Sequence, residues 1–338
     1  MIAVVFNLTD SAVLRLVDEE LAATGGAGDA PISILYEREL PGEPPDAAIE
    51  RAERLASIDG LVGVAGHGDS RGSLAAAEVY NAVGVPQVVP IGTNRQLASA
   101  GPWTFSLAPN DSVEGAFIAS YVAASLGARD VSLFFQNNEY GTGLRDGVVA
   151  GLAGLGLEPL NQVVFESGSD FATLVAATLR QGRPDALIVA GYSRPTIEIA
   201  SAVHTLAPGL RIVSGDGVMA GFGPALADSV GVAADSLFAV AFWVPTRADP
   251  VSLRFVERFR QTAGRDPAPS EAMLYDAILV LVHAVREVGA ERAAVREHLA
   301  GLGRQQAPLA GVSGPISFSA ESPANLVMVR VREDGGGA

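Results

Sequence analysis

Short apolar runs alternate with amphipathic stretches along most of the 338 residues, and this alternation constrains the fold more than any motif does. Ile2–Phe6, Ile32–Glu37, Leu61–Gly66, Gln87–Val89, Val131–Gln136, Val163–Phe165, Ala186–Ala190 and Arg211–Ser214 are nearly continuous in apolar residues and rich in β-branched ones. That is the character of parallel strands covered on both faces. Between them, Ser11–Thr24, Ser70–Val83, Asp111–Leu126, Gly141–Leu155, Phe171–Gln181 and Pro195–Thr205 place apolar side chains at helical spacing. Strand and helix in alternation predict an α/β fold with parallel sheets.

After a strand at Ser236–Ala241 the pattern changes. Three helices, Pro250–Gly264, Ser270–Val288 and Glu291–Gly301, follow in succession, then two short strands at Ile316–Phe318 and Leu326–Val331. Helices without strands between them cannot extend a βαβ sheet, so they are expected to pack back onto an earlier one. Leu107–Asn110 and Phe242–Thr246 carry prolines and read as crossings between two lobes, with Trp103 and Trp243 beside them as packing residues. At about 150 residues per domain the length suits two lobes.

Composition removes whole chemistries. The chain has no Cys, which excludes disulfides, thiolate nucleophiles and Cys-ligated metal. It has no Lys either, which excludes a P-loop lysine and a Schiff base. Four scattered His show no metal-ligand spacing, and no cofactor is expected. The net charge of −15 makes nucleic acid and anionic lipid poor partners. The apolar run Met273–Val285 carries Asp276 and His283 and falls short of the ~20 residues a bilayer needs. Met1–Phe6 lacks a basic n-region and reads as a first buried strand; an exported protein would carry its leader, and any lipid anchor on it, ahead of this numbering.

Leu61–Ser73 reads as strand, glycine-rich turn and helix start, with Asp69 and Ser70 at the turn. Free amides and the positive end of the helix dipole at Ser70 suit a carboxylate or phosphate without any lysine. The plainer alternative is that Asp69 or Ser70 caps the helix. Gly68–Gly72 also matches the G-x-S-x-G nucleophile elbow, with Asp216 and His283 as the partners a hydrolase would need. His283, however, lies in an apolar helical run, and no oxyanion loop precedes the motif. Gly66–Gly72 is only a loosened dinucleotide fingerprint, with no acid ending a strand about 20 residues on. Thr93 follows the strand Gln87–Val89 and shares its ligand-binding edge, or caps a helix. Tyr140 and Tyr192 sit just past strands and can cover a ligand or simply pack. Asp216, between two glycines, offers a carboxylate on a turn or satisfies local backbone.

Taken in order, these segments resemble the type I periplasmic binding proteins, specifically the leucine/isoleucine/valine-binding receptors of ABC importers. The resemblance runs nearly end to end. It rests on Asn7–Ser11, Gly66-His67 with Ser70, Glu78–Tyr80, Gly84–Pro86, Asn138–Leu144, Ser169–Phe171 and Gly191-Tyr192. It continues through Gly215–Gly217, Gly264–Pro267, Tyr275–Ala277 and Gly311–Pro315.

The resemblance implies two interwoven lobes, each a parallel-rich sheet flanked by helices, joined by three hinge crossings and closing on a ligand. The first lobe would be 1–109 plus 241–317 and the second 110–240 plus 318–338. Ser70 and Thr93, with Asp69 and the backbone of Ile91 and Gly92 nearby, would hold an amino-acid head group. Asp216 would pair with the α-ammonium, and Tyr140 and Tyr192 would close the second wall. A monomeric, non-enzymatic receptor serving an ABC permease outside the cytoplasm is implied; a sensor domain of the same fold is the alternative, cytoplasmic if no leader exists. The Asn7–Ser11 loop has no aromatic, Asp69 and Arg71 add charge, and Arg194 follows Tyr192. These departures widen the ligand class from branched aliphatics to polar or aromatic amino acids and other small carboxylates.

Overall fold

A computed structural model describes residues 1–8, 10–24, 31–40, 42–219, 229, 231–319 and 325–331. In chain order it begins with β1 (Ile2–Phe6), α1 (Ala12–Thr24), β2 (Ile34–Arg38), α2 (Pro45–Ala56), β3 (Gly63–Gly66), α3 (Ser70–Val83), β4 (Gln87–Val89) and β5 (Thr104–Ser106). Next come α4 (Asp111–Ser120), β6 (Val131–Gln136), α5 (Glu139–Gly154), β7 (Asn161–Phe165), α6 (Phe171–Gln181), β8 (Ala186–Ala190), α7 (Ser193–Leu206), β9 (Arg211–Ser214) and β10 (Leu237–Ala241). The chain then runs through α8 (Pro250–Ala263), α9 (Pro269–Val288), α10 (Arg292–Gly301), β11 (Leu309–Ala310), β12 (Pro315–Ile316) and β13 (Val327–Arg330).

These elements form two compact units, Met1–Ala108 with Pro245–Asn325, and Pro109–Val244 with Leu326–Ala338. The sheet of the first unit is parallel throughout, in the order β2-β1-β3-β4-β5. Its central strand β1 is buried at every position. On one side a core of Ala3, Val5, Leu55, Leu61, Val64, Ala76 and Tyr80 joins the sheet to α2 and α3. The long helix α9 packs on β1, β3 and β4, and a Cβ on Gly63 would stand 2.8 Å from Leu281 Cδ2. Of the helices of the last third, α9 thus covers the first sheet, with α8 against α1 and α10 against α9, so they pack back onto an earlier sheet as their lack of intervening strands predicts.

The second sheet runs β13-β10-β9-β8-β6-β7, parallel except for β13, which pairs antiparallel with β10. β8 is buried along its whole length, whereas the edge strand β7 alternates between partly buried and exposed positions up to the buried Phe165. Phe134, Phe165, Val189, Ile199, Ile212, Leu237 and Val329 anchor this core.

The sequence assigns 318–325 to the second unit, but its described residues hold to the first. The Phe318 ring lies 5.0 Å from that of Phe105, and Asn325 Nδ2 donates to the Ser313 carbonyl. Residues 241–244 go the other way. Ala241 belongs to the second core and Val244 packs against it, while Trp243 is buried. The helix expected over Asp111–Leu126 is α-helical only to Ser120 and ends in a π turn at Tyr121–Ser125. Three elements lie beyond those read from sequence: α2, β5 and β11, the last pairing with β12 where the sequence places its strand at Ile316–Phe318.

Candidate functional site

Parallel sheets flanked by helices bind ligands beyond the carboxyl ends of their strands. In the first unit the turn after β3 carries Asp69 and Ser70. Asp69 caps α3, its carboxylate accepting from the Gly72 amide at 2.7 Å. The plainer alternative therefore holds for Asp69. Burial first, and the nearby Glu39 next, push its carboxyl up to about 6.

Ser70, itself buried, accepts from the amides of Thr93 and Asn94 at 3.3 and 3.2 Å. It thereby ties the β4 turn to the start of α3, and its own proton remains to be donated. Thr93 is 1 % exposed, and its Oγ1 is enclosed with no hydrogen-bond partner among the described residues. Gly92 lies where a Cβ would stand 2.8 Å from Val89 Cγ1, and its carbonyl accepts from Ser106 Oγ at 3.1 Å. Ile91 is half-buried beside it.

The geometry around Ser70 leaves the hydrolase alternative without its relay. No hydrogen bond joins Ser70 to a histidine among the described residues. His67, fully buried, turns its Nδ1 to Glu39 at 2.5 Å and its Nε2 to the Tyr80 hydroxyl at 3.4 Å. His283 lies on α9 with its ring 5.3 Å from that of His298 on α10.

In the second unit the turns after β6, β8 and β9 bring Tyr140, Tyr192 and Asp216 together. Asn138 caps α5 through the Gly141 amide at 2.7 Å, fixing Tyr140 in the first turn. Tyr140 and Tyr192 stack at 4.9 Å with their planes 20° apart. Only Tyr192 keeps appreciable exposure; Tyr140 is buried beneath it. Tyr140 is thus less a wall than a support. Its hydroxyl accepts from the Gly217 amide at 2.9 Å and is bonded to the Asp216 side chain. Gln136 Oε1 accepts from the Tyr192 amide at 3.1 Å, which fixes the β8 turn against β6.

Asp216 opens a short 3-10 turn, Asp216–Val218. Its amide donates to Glu114 Oε1 at 2.7 Å, and its Oδ1 is enclosed without a partner among the described residues. Burial dominates its titration and pushes the carboxyl up to about 7. Glu114, fully buried, is raised well above the usual carboxylate range, by burial first and then by Asp216 and Asp111. Glycine is required on both sides of Asp216. A Cβ on Gly215 would stand 2.5 Å from the Tyr140 hydroxyl oxygen, and one on Gly217 2.5 Å from the same ring.

Sequence reasoning missed Glu114 and Asp111. Behind the Asn110 cap they look like the acids that favour any helix N-terminus. The only local hint is that α4 has two acids in its first turn and no exposed cationic partner adjoining them in sequence.

Two α/β units with polar groups gathered at the carboxyl ends of their parallel strands define the class of two-lobed solute-binding proteins. The chain belongs to the periplasmic binding protein family, whose model matches residues 9–335. The Leu/Ile/Val-binding protein homolog 1 of Brucella suis is 25% identical over 310 residues, covering 91% of this chain and 80% of that protein. The leucine-binding protein LivK of Thermotoga maritima superposes with a TM-score of 0.86 at 25% identity, covering 100% of this chain and 96% of the other. The branched-chain amino acid transporter substrate-binding protein LivJ of Streptococcus pneumoniae, solved with isoleucine, has the same fold, with a TM-score of 0.84 at 21% identity and coverage of 99% and 97%.

Among the described residues no helix is long and apolar enough to cross a membrane, and no cluster of His, Cys, Asp and Glu could hold a metal ion.

Proposed function

We propose that this chain is the solute-binding receptor of an ABC importer and binds an amino acid or a closely related small carboxylate. One ligand would engage both groups of residues. Ser70, Thr93 and the amides near Ile91 and Gly92 take its carboxylate; Asp216 takes its ammonium, with Tyr192 over its body. Asp69 contributes by holding the N-terminus of α3 in place.

The observation that carries this reading is Thr93 Oγ1, a buried hydroxyl with no partner among the described residues, beside a serine already accepting two amides. Buried hydroxyls are normally satisfied, and one left open at the carboxyl edge of a parallel sheet suits a ligand acceptor. Asp216 Oδ1, an acceptor likewise without a partner among the described residues, is its counterpart for the ammonium. The names of the relatives, Leu/Ile/Val-binding among them, support an amino acid. A ligand touching both units favours the closed state by its differential affinity, and a permease can recognise that state. The receptor works outside the cytoplasm, as a monomer, and catalyses nothing.

A thermal-shift screen over the twenty amino acids and small aromatic and aliphatic acids tests the assignment. A ligand at 100 times its Kd adds about 2.7 kcal/mol. Asp216→Ala is expected to weaken an amino-acid ligand by about 2–5 kcal/mol, through the ammonium it leaves unpaired. No response to any member of the panel would overturn the proposal.

A further inference from the structure

The second unit holds a feature that ammonium recognition alone does not account for. Glu114 lies directly behind Asp216, fully buried, on a helix that starts about a hundred residues earlier in the chain. Its Oε1 accepts the Asp216 amide at 2.7 Å, no N–H or O–H donor among the described residues reaches its buried Oε2, and its carboxyl lies within hydrogen-bond reach of the Asp216 carboxyl. Two carboxylates cannot bond to each other unless one carries a proton. Among the described residues, the groups facing this pair are Asp111 from α4, Tyr140 from α5 and the Gly217 amide. Asp111 adds negative charge from a buried position, whereas the Tyr140 hydroxyl and the Gly217 amide favour the ionised form of Asp216.

We propose that Glu114 is the positioning residue of the ligand's ammonium site: a neutral acid that accepts the Asp216 amide and donates its one proton to the Asp216 side chain. This rests on the ammonium reading above and deepens it. Of two adjacent acids in a low-dielectric site only one ionises, and the more enclosed keeps the proton. Glu114 is fully enclosed, whereas Asp216 retains some exposure and has the Tyr140 and Gly217 donors. The Glu114 proton thus stays in place when the ligand arrives, and Asp216 presents a single oriented charge. The arrangement is over-determined: Gly215 has no room for a Cβ, which would stand 3.0 Å from Glu114 Oε1.

Two measurements test this. The first needs no ligand. In the infrared difference spectrum of wild type minus Glu114→Gln at about pH 8, where ordinary carboxyls are ionised, a protonated carboxylic acid band should appear on the wild-type side. Carboxylate bands there instead would overturn the proposal, whatever the ligand. The second follows L-leucine binding against pH. Glu114→Gln, which keeps an acceptor and a donor, should hold both affinity and midpoint close to wild type. Glu114→Met, which keeps neither, should lose at least about tenfold at neutral pH and move the midpoint upward by about a unit. Equal profiles for Met and wild type would reduce Glu114 to packing. Should Glu114→Met fail to fold, the infrared comparison still decides. Asp216→Asn separates the two layers: if it binds L-leucine as wild type does, the ammonium reading itself is wrong, while the infrared result on Glu114 stands.

Discussion

Thr93→Val exchanges a hydroxyl for a methyl group of nearly the same shape at a site 1 % exposed. In the ligand-free protein the lost oxygen has no partner among the described residues, so no hydrogen bond is broken. A buried polar group without a partner costs about 1–3 kcal/mol of desolvation. Removing it should therefore stabilise the protein by about 1–2 kcal/mol, the low end reflecting some relaxation of Thr93 in the native ensemble. For a unit of this size that raises the unfolding temperature by roughly 2–8 °C. The new methyl meets the neighbours the old one met, so overpacking does not intrude.

Binding should move the other way. A hydroxyl bonded to a charged carboxylate contributes about 1.5–3 kcal/mol, or roughly 10- to 150-fold in Kd. Calorimetric melts of the unliganded variant and titration with the best amino acid from the screen measure both halves. Stability gained at the cost of function marks a residue kept for its ligand. A variant less stable than wild type by more than about 1 kcal/mol would mean that Oγ1 has a protein partner. A variant with unchanged affinity would mean that the hydroxyl faces no ligand. Either result refutes the reasoning.

Ser70→Ala should behave differently, since its oxygen accepts two amides in the free protein; urea unfolding should show a loss of about 1–3 kcal/mol even without ligand. Gly215→Ala pushes a methyl group into Leu144 and Tyr140; it should cost about 1–3 kcal/mol in denaturant unfolding and weaken binding by displacing Asp216. Asp276 accepts from the amides of Val312 and Ser313 and from Ser313 Oγ, and burial raises its carboxyl to about 6. A folded pKa above the unfolded value favours folding most at low pH. The stability of wild type relative to Asp276→Asn should therefore fall as pH rises from about 4 to about 6, by up to roughly 3 kcal/mol, and stay level above; urea melts across that range measure it.

Most of the fold is legible because its central strands are buried on both faces. β1 and β8 read as unbroken apolar runs and β6 as one interrupted by Ser132, and the glycine and Asx signals around them mark where helices begin. α2 escapes notice because its buried positions are Ala48, Ala52 and Leu55, and alanine gives little contrast with the polar face. β5 is three residues at a sheet edge, with Thr104 and Ser106 on either side of Phe105. The site divides in the same way. Ser70, Thr93 and Asp216 stand at strand ends, where local pattern is informative. Glu114 reaches Asp216 across 102 residues of sequence, and His67 reaches Glu39 across 28. Such contacts are products of packing and leave no trace in spacing. Tyr140 and Tyr192 stack just past their strands, but the burial of Tyr140 depends on how α5 settles against β8, which periodicity does not record.

The two groups also differ in what they lack, and that difference fixes the sign of a final test. With no lysine in the chain, the first unit offers an anion hydroxyls, amides and the start of α3, with Arg71 one residue beyond Ser70. Two donated amides polarise the Ser70 hydroxyl and make it a better donor in turn. The second unit has the opposite surplus, with acids crowded around Asp216. An amino acid satisfies both, and its ammonium needs Asp216 ionised. Its affinity should therefore rise about tenfold per pH unit up to about 7 and level off above. A carboxylate without an amine satisfies only the first group and is repelled by ionised Asp216. It should bind best where Asp216 is protonated and weaken as pH climbs through the same value. Titrating L-leucine and 4-methylpentanoate, which differ only by the amine, across that range separates the two cases. Parallel profiles for the pair would show that Asp216 does not face the amine, and the electrostatic assignment of the second unit would fall with it.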